Sequence, residues 1–233
     1  MKKLLASAAA CLGVMAMAGA AQASEVTFTF ENPGADMPTG NFTTGGKCNG
    51  IKISSIDLCS IDENLGLTYT KDGIDLTAKA FNSGGITDLM VDLAPHTSGL
   101  AIVSPGEGSS DDQVQYSAGE SILFEFGTEV SLEAMDFNAG ADRECANPGG
   151  EGPCGTFDLF VNGSLFGSYT AIDDMVFDSI IGNSFEFVAT DPNGGFAIAS
   201  ITVAETPIPG AAALLLSGLA GIGFNSSRRR RSA

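Results

Sequence analysis

The sequence predicts an all-β body, a two-sheet antiparallel sandwich of jelly-roll type, followed by a single C-terminal transmembrane helix. Apolar and polar residues alternate with period two along much of the stretch from Val26 to Val203, as half-buried strands require, and long apolar segments of period 3.6 are missing there. Glycine-rich turn sequences separate these runs at hairpin spacing. The pattern then breaks into an uncharged apolar run, Ile208 to Phe224, closed by Arg228, Arg229, Arg230 and Arg231.

Val26-Thr27-Phe28-Thr29-Phe30 alternates cleanly as a first strand. Leu65 to Thr70 and Ile74 to Phe81 flank Lys71-Asp72-Gly73, where Asp-Gly suits a tight hairpin turn. Ile122 to Phe126 and Val130 to Phe137 are expected to form a further pair. Phe157 to Val161 and Leu165 to Tyr169 meet around Asn162-Gly163, the strongest hairpin signal in the chain. Phe185 to Val188 and Phe196 to Val203 flank the turn-rich Asp191-Pro192-Asn193-Gly194-Gly195. Roughly a dozen short strands at this spacing fit a sandwich. Most of the 15 phenylalanines then belong to the core.

The two ends read as addresses. Lys2-Lys3, the small-residue apolar stretch Leu4 to Ala21, and the A-x-A site Ala21-Gln22-Ala23 form a signal peptide (1–23), so the mature chain begins at Ser24. The 17 uncharged residues from Ile208 to Phe224 span about 26 Å as a helix, enough to cross a hydrocarbon core at the short end of the range. The arginine cluster that follows is a stop-transfer signal, held in the cytoplasm by the positive-inside bias with the body on the opposite side. An exported domain, 24–205, thus lies between the signal peptide and a C-terminal segment, 206–233.

That segment resembles a known sorting signal. Pro207-Ile208-Pro209-Gly210, the apolar span and the arginine cluster are similar to the PEP-CTERM type of C-terminal signal, and to its VPLPA-CTERM variant in particular. Ile208 and Gly210 stand where that variant usually has Leu and Ala, and Thr206 stands where Val is common. The resemblance covers residues 206–231 and implies recognition by an exosortase, a membrane cysteine protease-transpeptidase of Gram-negative bacteria. That enzyme would remove the tail and pass the body to the cell surface or an extracellular polysaccharide matrix. A looser resemblance runs through Gly99–Val103, Asp111-Asp112-Gln113-Val114 and Gly119–Phe126, which look like a segment of β-rich PEP-CTERM proteins and imply a fold more than a chemistry.

All 28 acidic residues fall in 24–205 against five basic ones, so the exported part carries 5 − 28 = −23. Such a charge repels nucleic acid and anionic membrane surfaces; it suits divalent cations, high ionic strength, or simply a solvated surface. Cys48, Cys59, Cys145 and Cys154 remain after signal cleavage, and in an exported chain they imply two disulfides. Local pairing, Cys48–Cys59 and Cys145–Cys154, closes two short polar loops.

No catalytic constellation emerges. His96 is the only histidine and lacks a G-x-S-x-G elbow, so no serine triad is indicated, and no P-loop, dinucleotide fingerprint or zinc spacing occurs. No cofactor is required. Calcium is the one ligand with physical support, because Asp111-Asp112, Asp173-Asp174 and Asp191 with Asn193 offer clustered oxygen donors. Their spacing matches neither an EF-hand nor a calcium nonapeptide, and ordinary turn use of Asp accounts for each loop as well. The absence of Trp, with only Tyr69, Tyr116 and Tyr169, disfavours an aromatic sugar platform and leaves a calcium-assisted or hydrogen-bonding site open. The expected function is that of an exported, non-enzymatic structural or adhesive protein. Its expected partners are an exosortase, extracellular polysaccharide and, before processing, the membrane. A calcium-dependent glycan-binding module and an extracellular hydrolase are the alternatives.

Overall fold

The period-two runs pair into fourteen strands and no helix among the described residues of a computed structural model. These residues are 24–31, 35–40, 42–48, 51–60, 65–92, 99–103, 113–139, 143–145, 154–192 and 194–206, all within one compact unit, Ser24–Thr206. Ala21, Ala23, His96, Asp111, Asp112, Asn193, the motif Pro207–Gly210, the apolar span and Arg228–Arg231 lie outside them.

The strands are β1 (Glu25–Thr29), β2 (Phe42–Cys48), β3 (Ile51–Ser60), β4 (Leu67–Lys71), β5 (Ile74–Asn82), β6 (Gly85–Asp92) and β7 (Gly99–Val103). They continue as β8 (Val114–Gln115), β9 (Ser121–Ala139), β10 (Arg143–Glu144), β11 (Thr156–Val161), β12 (Ser164–Thr170), β13 (Met175–Ala189) and β14 (Gly195–Glu205). Both strong hairpin signals form as expected. Lys71 pairs with Ile74 across Asp72-Gly73, Val161 pairs with Ser164 across Asn162-Gly163, and all four turn residues have positive φ. Along β5 the alternation is visible as burial: Ile74, Leu76, Ala78 and Ala80 point inward, and Asp75 is exposed.

The expected jelly-roll sandwich is replaced by a barrel. Strands β14, β7, β6, β5 and β9 neighbour one another in turn, and β9 returns to pair with β14, closing a five-strand ring. The expected hairpin between Ile122–Phe126 and Val130–Phe137 is also corrected, because both runs belong to the single strand β9. Residues 121–126 pair with β5 and residues 130–138 pair with β14. Strand β13 follows β9 past this handover, with Glu125 opposite Ser184 and then Val130 opposite Gly182. Gly127, Thr128 and Glu129 look like a turn in sequence, yet none adopts the positive φ of a two-residue hairpin. They form a bulge that bends the strand and curls one sheet into a ring instead of separating two layers.

Closure also depends on Gly99, at the start of β7. Its φ is +99°, and an added Cβ would fall on the Ile198 carbonyl oxygen and lie 2.9 Å from Ala199 Cα. Glycine thus lets β7 approach β14, where Leu100 pairs with Ile198. Strand β7, Gly-Leu-Ala-Ile-Val, is buried at every position.

The interior is aromatic. Phe137 packs against Phe157, Phe196 and Phe187 with ring centroids 5.2, 5.6 and 6.4 Å apart. Phe30 joins Tyr69 at 5.3 Å and Phe124 at 5.9 Å, extending the cluster toward β4. Edge-to-face and offset pairs of this kind add about 0.5–1.5 kcal/mol each beyond the area they bury. The expected core role of the phenylalanines holds for ten of them; Phe166 is an exception, exposed on β12.

Candidate functional site

The two-residue strand β8 builds a groove. Gln115 pairs with Gly195 and Val114 with Phe196, which lays the chain at Gln113–Ser117 along the start of β14. Val114 is buried, so by strand alternation Gln113 and Gln115 face away from the core. A turn over Tyr116–Gly119 follows, in which the Gly119 N–H donates to the Tyr116 carbonyl at 2.9 Å. The fully buried Glu120 then clamps the segment: its carboxylate accepts the Gln115 N–H at 2.8 Å, and its own N–H donates to the Gln115 carbonyl at 3.1 Å.

The far wall rests on the disulfide. Cys145 and Cys154 are bridged with Cα atoms 5.3 Å apart, as expected from their short loop. Gly155, next in the chain, donates its N–H to the Gly195 carbonyl at 3.1 Å. A Cβ on Gly155 would fall 2.9 Å from the Gly194 carbonyl carbon and oxygen, so glycine at 155 lets the two backbones approach this closely. The result is a groove of about 200 Å³ lined by Gln113, Gln115, Tyr116 and Ser117 on one side and by Asp191, Pro192, Gly194 and Gly195 on the other. Ser117 donates its hydroxyl hydrogen to Gln115 Oε1 at 3.4 Å, and Tyr116 is half-exposed. Among the described residues the lining contains amides, a carboxylate, hydroxyls and one aromatic ring, with no cation.

A second polar feature sits where β9 leaves the barrel. Asp136 faces Asp173, which follows β12, and burial pushes the Asp136 carboxyl up to about 7. The hydrogen bond to the Asp173 carboxyl and the charges of Asp173 and Glu31 push the same way, while the Asp174 N–H opposes them. The proton on Asp136 bridges the two carboxyls, while Asp136 Oδ1 is buried without a donor among the described residues. Asn138 donates to Glu31 Oε2 at 2.7 Å, and the Asp173 N–H donates to the Cys145 carbonyl at 3.2 Å, tying the pair to the disulfide.

The sequence-derived site residues are therefore distributed. Asp191 joins the groove and Asp173 joins Asp136, whereas Asp174 is exposed in the turn with φ +52°. Among the described residues, no three of His, Cys, Asp and Glu are grouped to hold a metal ion. Cys59 is disulfide-bonded; its expected partner Cys48 is in β2, with its side chain outside the described residues. Ser24, the expected mature N-terminus, is exposed just before β1. Sequence reasoning missed Gln115 and Ser117 because β8 is too short to show alternation, and missed Asp136 because it looks like any outward polar residue of a strand.

Neither a protein-family model nor a curated protein matches the chain.

Proposed function

We propose that this chain is an exported, non-catalytic component of the cell surface or extracellular matrix, structural or adhesive in role and sorted through its PEP-CTERM/VPLPA-like tail. The observation that carries the reading is an all-β body of formal charge −23, tied by the Cys145–Cys154 disulfide, between a signal peptide and a tripartite tail in sequence. Disulfides persist in oxidising compartments, which agrees with export. A contact role is supported by β12, which among the described residues pairs with β11 alone, carries no charged residue and exposes Leu165 and Phe166. Edge strands usually guard themselves with charge, proline or a bulge against pairing with other chains; β12 has only the bulge, where its register with β11 shifts at Phe166.

The Asp136–Asp173 pair bears on the hydrolase alternative. Glycosidase carboxyls stand about 5–9.5 Å apart, and two carboxyls in hydrogen-bond contact leave no room for the bond they would cleave. An acid-protease dyad needs its oxygens open to substrate, whereas Asp136 Oδ1 is buried.

Fractionation of the native host tests the proposal. The full chain is expected in the surface or matrix fraction, and deletion of residues 206–233 is expected to release the body into the periplasm or medium. Recovery of the full chain from the cytoplasm would overturn it.

A further inference from the structure

We propose that β12 is the edge through which two copies of this chain pair, strand to strand and antiparallel. The inference rests on the contact role read for this strand and gives it an occupant.

The edge comes first. Strand β12 ends the sheet and pairs only with β11 among the described residues, so the backbone groups along its outer side have no ladder partner there. Leu165 and Phe166 are 58% and 54% exposed, so no other part of the chain covers them. Phe166 is the extra residue where the register with β11 shifts, and Gly167 to Thr170 stay in register beyond it. A regular stretch of edge thus adjoins two exposed apolar side chains.

Charge then selects the occupant. Strands β1, β2 and β4 also have a single partner strand among the described residues, and each carries a charge: Glu25, Lys47 and Lys71 respectively. Strand β12, Ser-Leu-Phe-Gly-Ser-Tyr-Thr, carries none. A cationic partner would be drawn to the acidic surface of a body of formal charge −23 and would gain nothing from a neutral strand. A partner as acidic as this chain is repelled by that surface and meets no charge along β12. A second copy is such a partner, and it is present wherever the chain is. Asp158 on β11, opposite Ser168, lies one strand further in. In the pair its two copies would stand about 14 Å apart across three strand spacings, beyond the ~8 Å screening length at physiological salt.

The flanks of β12 set the direction. The neutral turn Asn162-Gly163 precedes it, and Asp173-Asp174 follows it, with Asp174 exposed. Antiparallel pairing sets the acidic end of each copy beside the neutral turn of the other, whereas parallel pairing would set Asp174 beside Asp174. The antiparallel arrangement is two-fold, uses the same strand of both copies and closes at two. A seven-residue edge buries less than the ~1,200–2,000 Å² of a standing complex, so the expected Kd is on the order of 10–100 µM. Copies crowded on one surface would reach that concentration.

The test is sedimentation velocity of full-length protein in mild detergent, from about 1 µM to about 1 mM so as to bracket that Kd. A monomer–dimer equilibrium is expected, strengthened as NaCl rises from about 0.05 to about 1 M and screens the two acidic bodies. Leu165→Glu and Phe166→Glu should each raise Kd at least tenfold with Tm unchanged, because both side chains are exposed. Val176→Glu, on the exposed side of β13, should leave Kd as it is. A monomer at every concentration, a dimer kept by both β12 variants, a dimer lost equally in Val176→Glu, or association weakened by salt would overturn the proposal. A photo-crosslinker at position 165 in the host should give an adduct of twice the chain mass; an adduct with a different protein alone would overturn the second copy as occupant. A surface protein that stays monomeric would end the β12 assignment alone, and a cytoplasmic protein that pairs through β12 would end the surface assignment alone.

Discussion

Replacing Asp136 by asparagine probes the shared proton directly. In the folded chain the Asp136 carboxyl titrates near 7, against an ordinary value of 3.8. The folded state therefore holds this proton more tightly than the unfolded state does. The resulting stability is fully present below pH 3.8 and is lost as the pH rises through about 7. At ~1.36 kcal/mol per tenfold change in proton affinity, the whole difference is worth at most ~4 kcal/mol. Partial solvent contact at Asp136 reduces that to ~1–2 kcal/mol. Burial is the largest cause, Asp173 and Glu31 add to it, and the Asp174 N–H acts in the opposite sense. An asparagine keeps the shape and donates to Asp173 without a titratable proton. Asp136→Asn should thus match the wild type below about pH 3.8 and exceed it at pH 8 by ~1–2 kcal/mol, or about 3–6 °C in Tm for a domain of this size. Thermal melts of both proteins across pH 3–9 read the difference, and subtraction removes every other titrating group. Parallel pH profiles, or a variant less stable than wild type at pH 8, would refute the shared proton.

Three further outcomes follow from the same structure. Tyr69 is fully buried and its hydroxyl meets no partner among the described residues, so Tyr69→Phe should leave stability unchanged or raise it by ~1–2 kcal/mol in a denaturant melt; a loss of more than 1 kcal/mol would reveal a partner for that hydroxyl. Removing both Cys145 and Cys154, nine residues apart, should cost about 2–3 kcal/mol by loop closure, read as a Tm lower by about 5–10 °C; an unchanged Tm would contradict the role given to the bridge. Gly99→Ala forces a Cβ onto the Ile198 carbonyl at positive φ and should destabilise by at least ~2 kcal/mol in the same melt, with a neutral result arguing against close approach at the barrel seam.

What the sequence revealed was local. Asp72-Gly73 and Asn162-Gly163 carry their turn conformation in their own chemistry, so both hairpins were legible. Strands β2 and β6 were not, since Thr43-Thr44-Gly45-Gly46 and Gly85-Ile86-Thr87-Asp88 look like loop and gain strand form only from their neighbours. Closure of the barrel was hidden for a different reason. It rests on β9 pairing with β14, about sixty to seventy-five residues away along the chain, and on a bulge whose residues imitate a turn. The groove and the carboxyl pair share that difficulty: Gln115 meets Gly195, and Asp136 meets Asp173, only after the strands are in register. Asp191 and Asp173 were visible beforehand as clustered oxygen donors, but nothing near them in sequence named their partners.

The central claim is that this body is exported and that both terminal segments belong to its route. Intact-mass measurement of the native protein recovered from the surface or matrix fraction tests it most directly. The account predicts a mass for a chain that begins at Ser24 and lacks Arg228–Arg231. A full-length chain from Met1 to Ala233, with both ends retained, would contradict it.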